Sequence, residues 1–191
     1  MASLVDTNVL VYCFDPRHPA KQARARELLR DGLRDDSVVL AHQCIVEFVA
    51  AVTRPRPDLA GAPLLPLDTA RLEAEQFVDD YRVLYPDVNL LLTALSGTAM
   101  YGLSWFDAHL WAYAEANGVA EILSEDFEHG RHYGTVRVVN PFLPAEGVHE
   151  LPPLYAAKPG EEKSAARRHK TSAKRSAGPA TRGPARRRAR A

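Results

Sequence analysis

Cysteine is nearly absent: the 191 residues hold two, Cys13 and Cys44, each inside an apolar segment. So placed, they offer no metal-finger spacing and read as buried free thiols of a reducing cytosol. A basic, apolar leader is missing as well, since "MASLVDTNV" carries an acid within its first apolar run, which argues against a signal peptide. Long apolar runs are scarce. The one uncharged stretch of membrane length, Val88 to Phe106, is interrupted by Asn89, Thr93, Ser96, Gly97, Thr98, Gly102 and Ser104. It is expected to form a buried helix and a turn, in a soluble, cytoplasmic protein. No internal repeat is present.

Net charge is zero only in sum. Residues 1–157 carry 12 Lys and Arg against 22 Asp and Glu, a net of −10, whereas residues 158–191 carry 12 against 2, a net of +10. The length suits one ordinary domain plus a remainder, and 46% apolar residues are enough for a core. The expected organisation is a domain over 1–144, a connecting segment over 145–157 and a basic tail over 158–191. The tail lacks large apolar residues, cannot offset chain entropy by burial, and is expected to be disordered.

Within the body, "SLVD" reads as a short buried strand and "NVLVYCF" as a helical turn leading away from it. Pro16 and Pro19 mark a loop. Ala20 to Gly32 has helical periodicity, with Ala25, Leu28, Leu29 and Leu33 on one face. "DSVVLAH" is a second strand, and Gln43 to Thr53 a helix ended by "RPRP". A long surface excursion follows. Helices are expected over Thr69–Tyr81, capped by Asp68 or Thr69, over Leu90–Tyr101, and over Trp105–Asn117, stopped by Gly118. "AEILSED" and "TVRVVNPF" are the remaining strands. This alternation predicts an α/β sandwich around a mostly parallel sheet.

Four acids sit uncomfortably in this pattern: Asp6 inside "SLVDTNVLVY", Glu47 inside "CIVEFVAAV", Asp107 after "LSWF" and Asp126 after "EILSE". Each has an ordinary explanation. Asp107 favours the positive end of its helix, Asp126 suits a turn or cap, and Glu47 can point outward. Asp6 is the hardest to explain away, because burying a carboxylate costs several kcal/mol without compensation. Strand ends and helix starts share a crevice in open α/β sheets. Two carboxylates about 4 Å apart in it repel by roughly 4 kcal/mol at an effective dielectric near 20. A cation removes that cost, and an all-oxygen donor set suits Mg2+ or Mn2+ rather than Zn2+. Hard divalent ions held by acids serve phosphodiester hydrolysis.

The stretches "LVDTNVLVY", "IVEFVAAV", "LSWFDAHLWAYAEANG" and "ILSEDFEHGRHYGTVRVVNPF" resemble the PIN-domain nucleases, and among them the VapC-type toxins of bacterial toxin–antitoxin pairs. The resemblance covers the N-terminal half-domain and the last third of the body, through about Phe142; residues 54–100 match only in being helical. It implies a PIN-like three-layer sandwich. It also implies that Asp6, Glu47, Asp107 and Asp126 are an acidic catalytic quartet. Asp6 and Asp107 would be central metal ligands, Asp126 a third ligand or the holder of a second ion, and Glu47 a ligand directly or through water. Asn8 and Ser124 would orient the site, and Glu125 stands as an alternative to Asp126. The resemblance further implies Mg2+- or Mn2+-dependent cleavage of single-stranded or loop RNA, a homodimer, and an antitoxin whose C-terminal segment covers the site.

Other features weigh less. His129 and His132 are more readily loop residues than a metal pair. Trp105, Phe106, Trp111 and Tyr113 offer stacking faces, but their helical spacing favours core packing for Phe106 and at least one tryptophan. Ser104 reads as a helix cap rather than a nucleophile, with no partnered His–acid set. The basic tail is dense enough to bind phosphate backbones without sequence preference. It supports the alternative of a non-catalytic nucleic-acid-binding protein.

Overall fold

The first strand, β1 (Ser3–Val5), stops because Asp6 begins the next element. Its carboxylate accepts the Thr7 amide and caps α1 (Thr7–Tyr12), supplying one of the acceptors that a helix start lacks. α2 (Pro19–Arg34) opens on a proline, whose missing amide and fixed φ suit a first helical position. β2 (Val38–Ala41) runs directly into α3 (His42–Thr53). A 3-10 turn (Pro57–Leu59), α4 (Leu67–Asp80), β3 (Arg82–Leu84), α5 (Val88–Tyr101) and α6 (Trp105–Ala116) follow. The chain then forms β4 (Glu121–Leu123), β5 (His132–Tyr133) and β6 (Val136–Val139). This is a computed structural model, and it describes residues 2–144; the expectations for 145–157 and 158–191 lie outside the described residues.

The sheet has the order β3-β2-β1-β4-β6-β5, parallel throughout except for the β5–β6 pair. Helices cover it as the expected three-layer α/β sandwich, and so its central strands are continuously apolar: Leu4, Val5, Leu40, Ile122 and Val138 are fully buried. The chain travels outward from β1 through β2 to β3, then returns to the other side of β1 with β4. The β1–β4 boundary is therefore the switch point where such sheets open a crevice. Val5 is level with both Leu40 and Leu123, which brings the C-terminal ends of β1, β2 and β4 to one height.

Several local expectations are corrected. Strands β3 and β5 lie at the two edges of the sheet and are too short, at three and two residues, to show a period. α4 begins at Leu67 rather than Thr69, behind Pro66 and without a side-chain cap from Asp68 or Thr69. Pro19, expected in the loop, is the first residue of α2. Leu33 is 44% exposed, because in the last turn of α2 it is Gly32 that packs on Val38 of β2, leaving Leu33 turned away from the sheet. The stretch Val88–Phe106 is not a buried helix: Leu90, Ala94 and Gly97 face inward, whereas Val88, Leu91, Leu92, Leu95 and Met100 are exposed. Apolar residues on both sides of a helix cannot reveal which side is covered. Phe106 is also exposed, since Trp111 and Tyr113 fill the core beneath α6.

Candidate active site

Asp6, Glu47, Asp107 and Asp126 all line one cavity of about 690 Å³ at the β1–β4 switch point. Each arrives by a different route. Asp6 directly follows β1, Glu47 sits in the second turn of α3 beyond β2, Asp107 lies in the first turn of α6, and Asp126 is three residues beyond β4. Ser124 is fully buried behind them, and Asn8 lies between the β1 and β4 sides.

Asp6 is the most deeply set, 8% exposed. Its Oδ1 accepts the Thr7 amide at 2.6 Å, and its Oδ2 accepts Ser124 Oγ at 2.5 Å and Asn8 Nδ2 at 2.9 Å. Asn8 Nδ2 also donates to Asp126 Oδ2 at 3.2 Å, so one amide group holds the two carboxylates in register. Burial pushes the Asp6 carboxyl up to about 7. The Ser124 and Thr7 hydrogen bonds act against that, and the neighbouring charges of Asp126 and Glu47 reinforce it. Glu47 accepts Thr7 Oγ1 at 2.8 Å on one oxygen and Gln43 Nε2 at 2.9 Å on the other. Asp107 is held by Ser104, whose Oγ caps the Asp107 amide and donates to its Oδ2 at 2.7 Å.

The expected supporting residues, Asn8 and Ser124, thus both touch Asp6. Glu125 lines the same cavity but is bound to Lys21 and to the Tyr12 hydroxyl, while Asp126 faces Asn8. His129 accepts the Asn140 amide, eleven residues on, through Nδ1, and His132 lies in β5 rather than in a loop. Thr7 and Gln43 escaped sequence reasoning as site residues. The signals were there, in Thr7 next to Asp6 and in Gln43 one helical turn before Glu47. Arg54 and Arg56, read in the sequence only as part of a helix stop, line the cavity too.

A divalent cation suits this donor set. The cavity lining includes six carboxylates against three guanidinium groups, all its acidic donors are hard oxygens, and Asn8 Oδ1 is buried without a hydrogen-bond partner. Among the described residues, no three His, Cys, Asp or Glu side chains close around a single point. Mg2+ does not need such a cage: it takes one or two carboxylates, keeps several waters and shares its remaining positions with substrate phosphate.

The family profile of the PIN domain matches residues 3–134. The chain belongs to the PIN-domain family. The matched span contains all six cavity acids, Asp6, Glu47, Asp107 and Asp126 among them, and runs from the first residue of β1 to just before β6. PIN domains are nuclease domains that generally use divalent metal ions. A search of the curated proteins finds no significant match. Among solved structures, the chain is similar to the Mycobacterium tuberculosis toxin VapC20, described as cleaving the sarcin-ricin loop. The identity is 16%, the match covers 63% of this chain and 87% of that one, and the TM-score is 0.44. No helix among the described residues is long and apolar enough to cross a membrane.

Proposed function

We propose that this PIN-domain chain is a Mg2+- or Mn2+-dependent endoribonuclease and the toxin of a toxin–antitoxin pair. The observation that carries the reading is the convergence of Asp6, Glu47, Asp107 and Asp126 on one cavity at the switch point of the sheet. A bound divalent ion supplies a water of lowered pKa and offsets charge on the phosphate. Asp6 and Asp107 would hold that ion, Asp126 would be a third ligand or hold a second ion, and Glu47 would bind directly or through water. The rest of the chemistry belongs to the chain. Ser124 and Thr7 fix the Asp6 carboxylate, Ser104 aims Asp107, Asn8 spaces Asp6 from Asp126, and Thr7 with Gln43 orients Glu47. The Ser104 and Ser124 hydroxyls are committed to these carboxylates, which favours attack by water over a covalent enzyme intermediate.

The toxin assignment rests on family membership together with the four motif stretches around the acids. In this reading residues 1–144 are the nuclease domain, 145–157 connect, and the basic tail over 158–191 adds RNA affinity to an acidic body. An antitoxin segment covers the cavity. The homodimer forms through α5, where Val88, Leu91, Leu92 and Leu95 make an exposed apolar stripe at helical spacing. The function is tested by incubating the chain with single-stranded RNA, hairpin RNA and DNA of the same sequences. RNA fragments are expected with Mg2+ or Mn2+, none in EDTA, and recovery when the metal is restored. Cleavage that ignores EDTA, or that is confined to DNA, would refute the reading.

A further inference from the structure

The cavity has a basic side as well as an acidic one. Arg17, Arg54 and Arg56 line it together with the carboxylates. Arg17 is already engaged: it donates to the buried Asp15 carboxylate through Nε at 2.7 Å and Nη2 at 2.5 Å, and it pairs with Asp58. Arg54 and Arg56 form no ion pair among the described residues. Arg56 Nε is buried and lacks an acceptor. A donor left in that state is costly, and the cost is recovered when an anion arrives.

The backbone holds this side ready. α3 ends at Thr53, and Arg54, in extended conformation before Pro55, directs the chain out of the helix. The next residues close on themselves. The Arg56 amide donates to Ala62 O at 3.1 Å, and Arg56 O accepts the Leu59 and Gly61 amides at 3.1 and 2.9 Å. This tight return requires the left-handed conformations of Ala60, φ 53°, and Gly61, φ 85°. Three backbone hydrogen bonds thus fix the Arg56 backbone before any ligand binds, so the ordering left to oppose binding is that of the side chains.

We propose that Arg54 and Arg56 form a phosphate subsite that grips an RNA phosphodiester neighbouring the one undergoing cleavage. The inference rests on the ribonuclease reading above. A polyanion entering a cavity lined with carboxylates is repelled everywhere except at the cation and at this edge. Guanidinium groups with free N–H donors suit phosphate oxygens in paired geometry, which an ammonium does not reproduce. The subsite positions the strand, and base identity plays no part in its contacts.

The test uses the full-length chain and a single-stranded RNA whose cleavage is assayed in parallel with Mg2+ or Mn2+, with binding followed by fluorescence anisotropy in EDTA. A series of oligonucleotides carries one neutral methylphosphonate, moved linkage by linkage. Wild type should lose affinity about tenfold at one linkage beside the scissile one. The Arg54→Ala, Arg56→Ala double variant should lose about tenfold on unmodified RNA and nothing further at that linkage. Arg54→Lys, Arg56→Lys should keep part of the affinity. Tail contacts are common to all these proteins and cancel in the comparison. The proposal is overturned if the double variant binds unmodified RNA as wild type does, or if methylphosphonate costs it the same factor. Arg54 is exposed, so Arg54→Ala alone, with a wild-type thermal melt, gives the same discrimination should the double variant unfold. If unmodified RNA stays intact with Mg2+ or Mn2+ while the anisotropy pattern appears, the ribonuclease reading fails and Arg54 and Arg56 are a phosphate-binding site with no scissile neighbour.

Discussion

At the scale of single residues, Asp6 has three hydrogen-bond donors around it and is still pushed up to about 7. Desolvation outweighs the hydrogen bonds, and Asp126 and Glu47 add to it. The consequence for stability has a definite sign. The folded chain keeps the Asp6 proton up to about pH 7, whereas the unfolded chain releases it near the ordinary value of about 3.9. Asp6 therefore contributes most below pH 4, and this contribution is lost as the pH rises to 7, by a few kcal/mol in total at about 1.4 kcal/mol per unit. Urea denaturation in EDTA at pH 5 and pH 8 checks this: Asp6→Asn should flatten the difference and be the more stable protein at pH 8. With saturating Mg2+, wild type should recover stability at pH 8 and Asp6→Asn should gain little. Wild-type stability independent of Asp6 at both pH values would show that the carboxylate carries no such penalty.

At the scale of elements, α6 sets the position of Asp107, and α5 supports α6. A Cβ added at Gly97 would lie 2.6 Å from the Trp111 ring, which is itself fixed by an Nε1–H bond to Tyr133 O at 2.9 Å. Gly97→Ala is expected to cost about 1–3 kcal/mol by overpacking, read as a lowered urea midpoint; an unchanged midpoint would mean that the helices separate freely. Much of this arrangement was legible in the sequence. "SLVD", "VVLA" and the Ser104–Asp107 start announce themselves by apolar runs and a capping residue, and the four acids stand out against apolar flanks. What was not legible lacked local contrast. β3 and β5 are too short to have a period, α4 starts without a capping side chain, and α5 is apolar on both its buried and its exposed side. Thr7 and Gln43 have a local signal, beside Asp6 and one turn before Glu47, but part of their role comes from neighbours distant in sequence: Thr7 is 40 residues from Glu47, and Gln43 is 63 from Phe106, whose carbonyl it also holds.

At the scale of the whole molecule, two surfaces stand out among the described residues, the apolar stripe on α5 and the charged cavity, and they call for different partners. The stripe predicts self-association. Leu92→Glu with Leu95→Glu, both exposed positions, should convert a dimer into a monomer in light scattering while native circular dichroism is kept. A wild type that is already monomeric at tens of micromolar would remove α5 as an interface. The cavity predicts chemistry on a polyanion by an otherwise acidic body, and in the proposed mechanism a metal, the substrate and the four carboxylates act together. The most direct test is the single-turnover rate of RNA cleavage in saturating Mg2+ or Mn2+ for wild type, Asp6→Asn and Asp107→Asn, each first checked for native circular dichroism. Residues that merely orient metal ligands are worth about 10–100-fold, so each substitution is predicted to slow cleavage by more than about a hundredfold. Folded variants that cut RNA at the wild-type rate would contradict the assignment of this cavity as the active site.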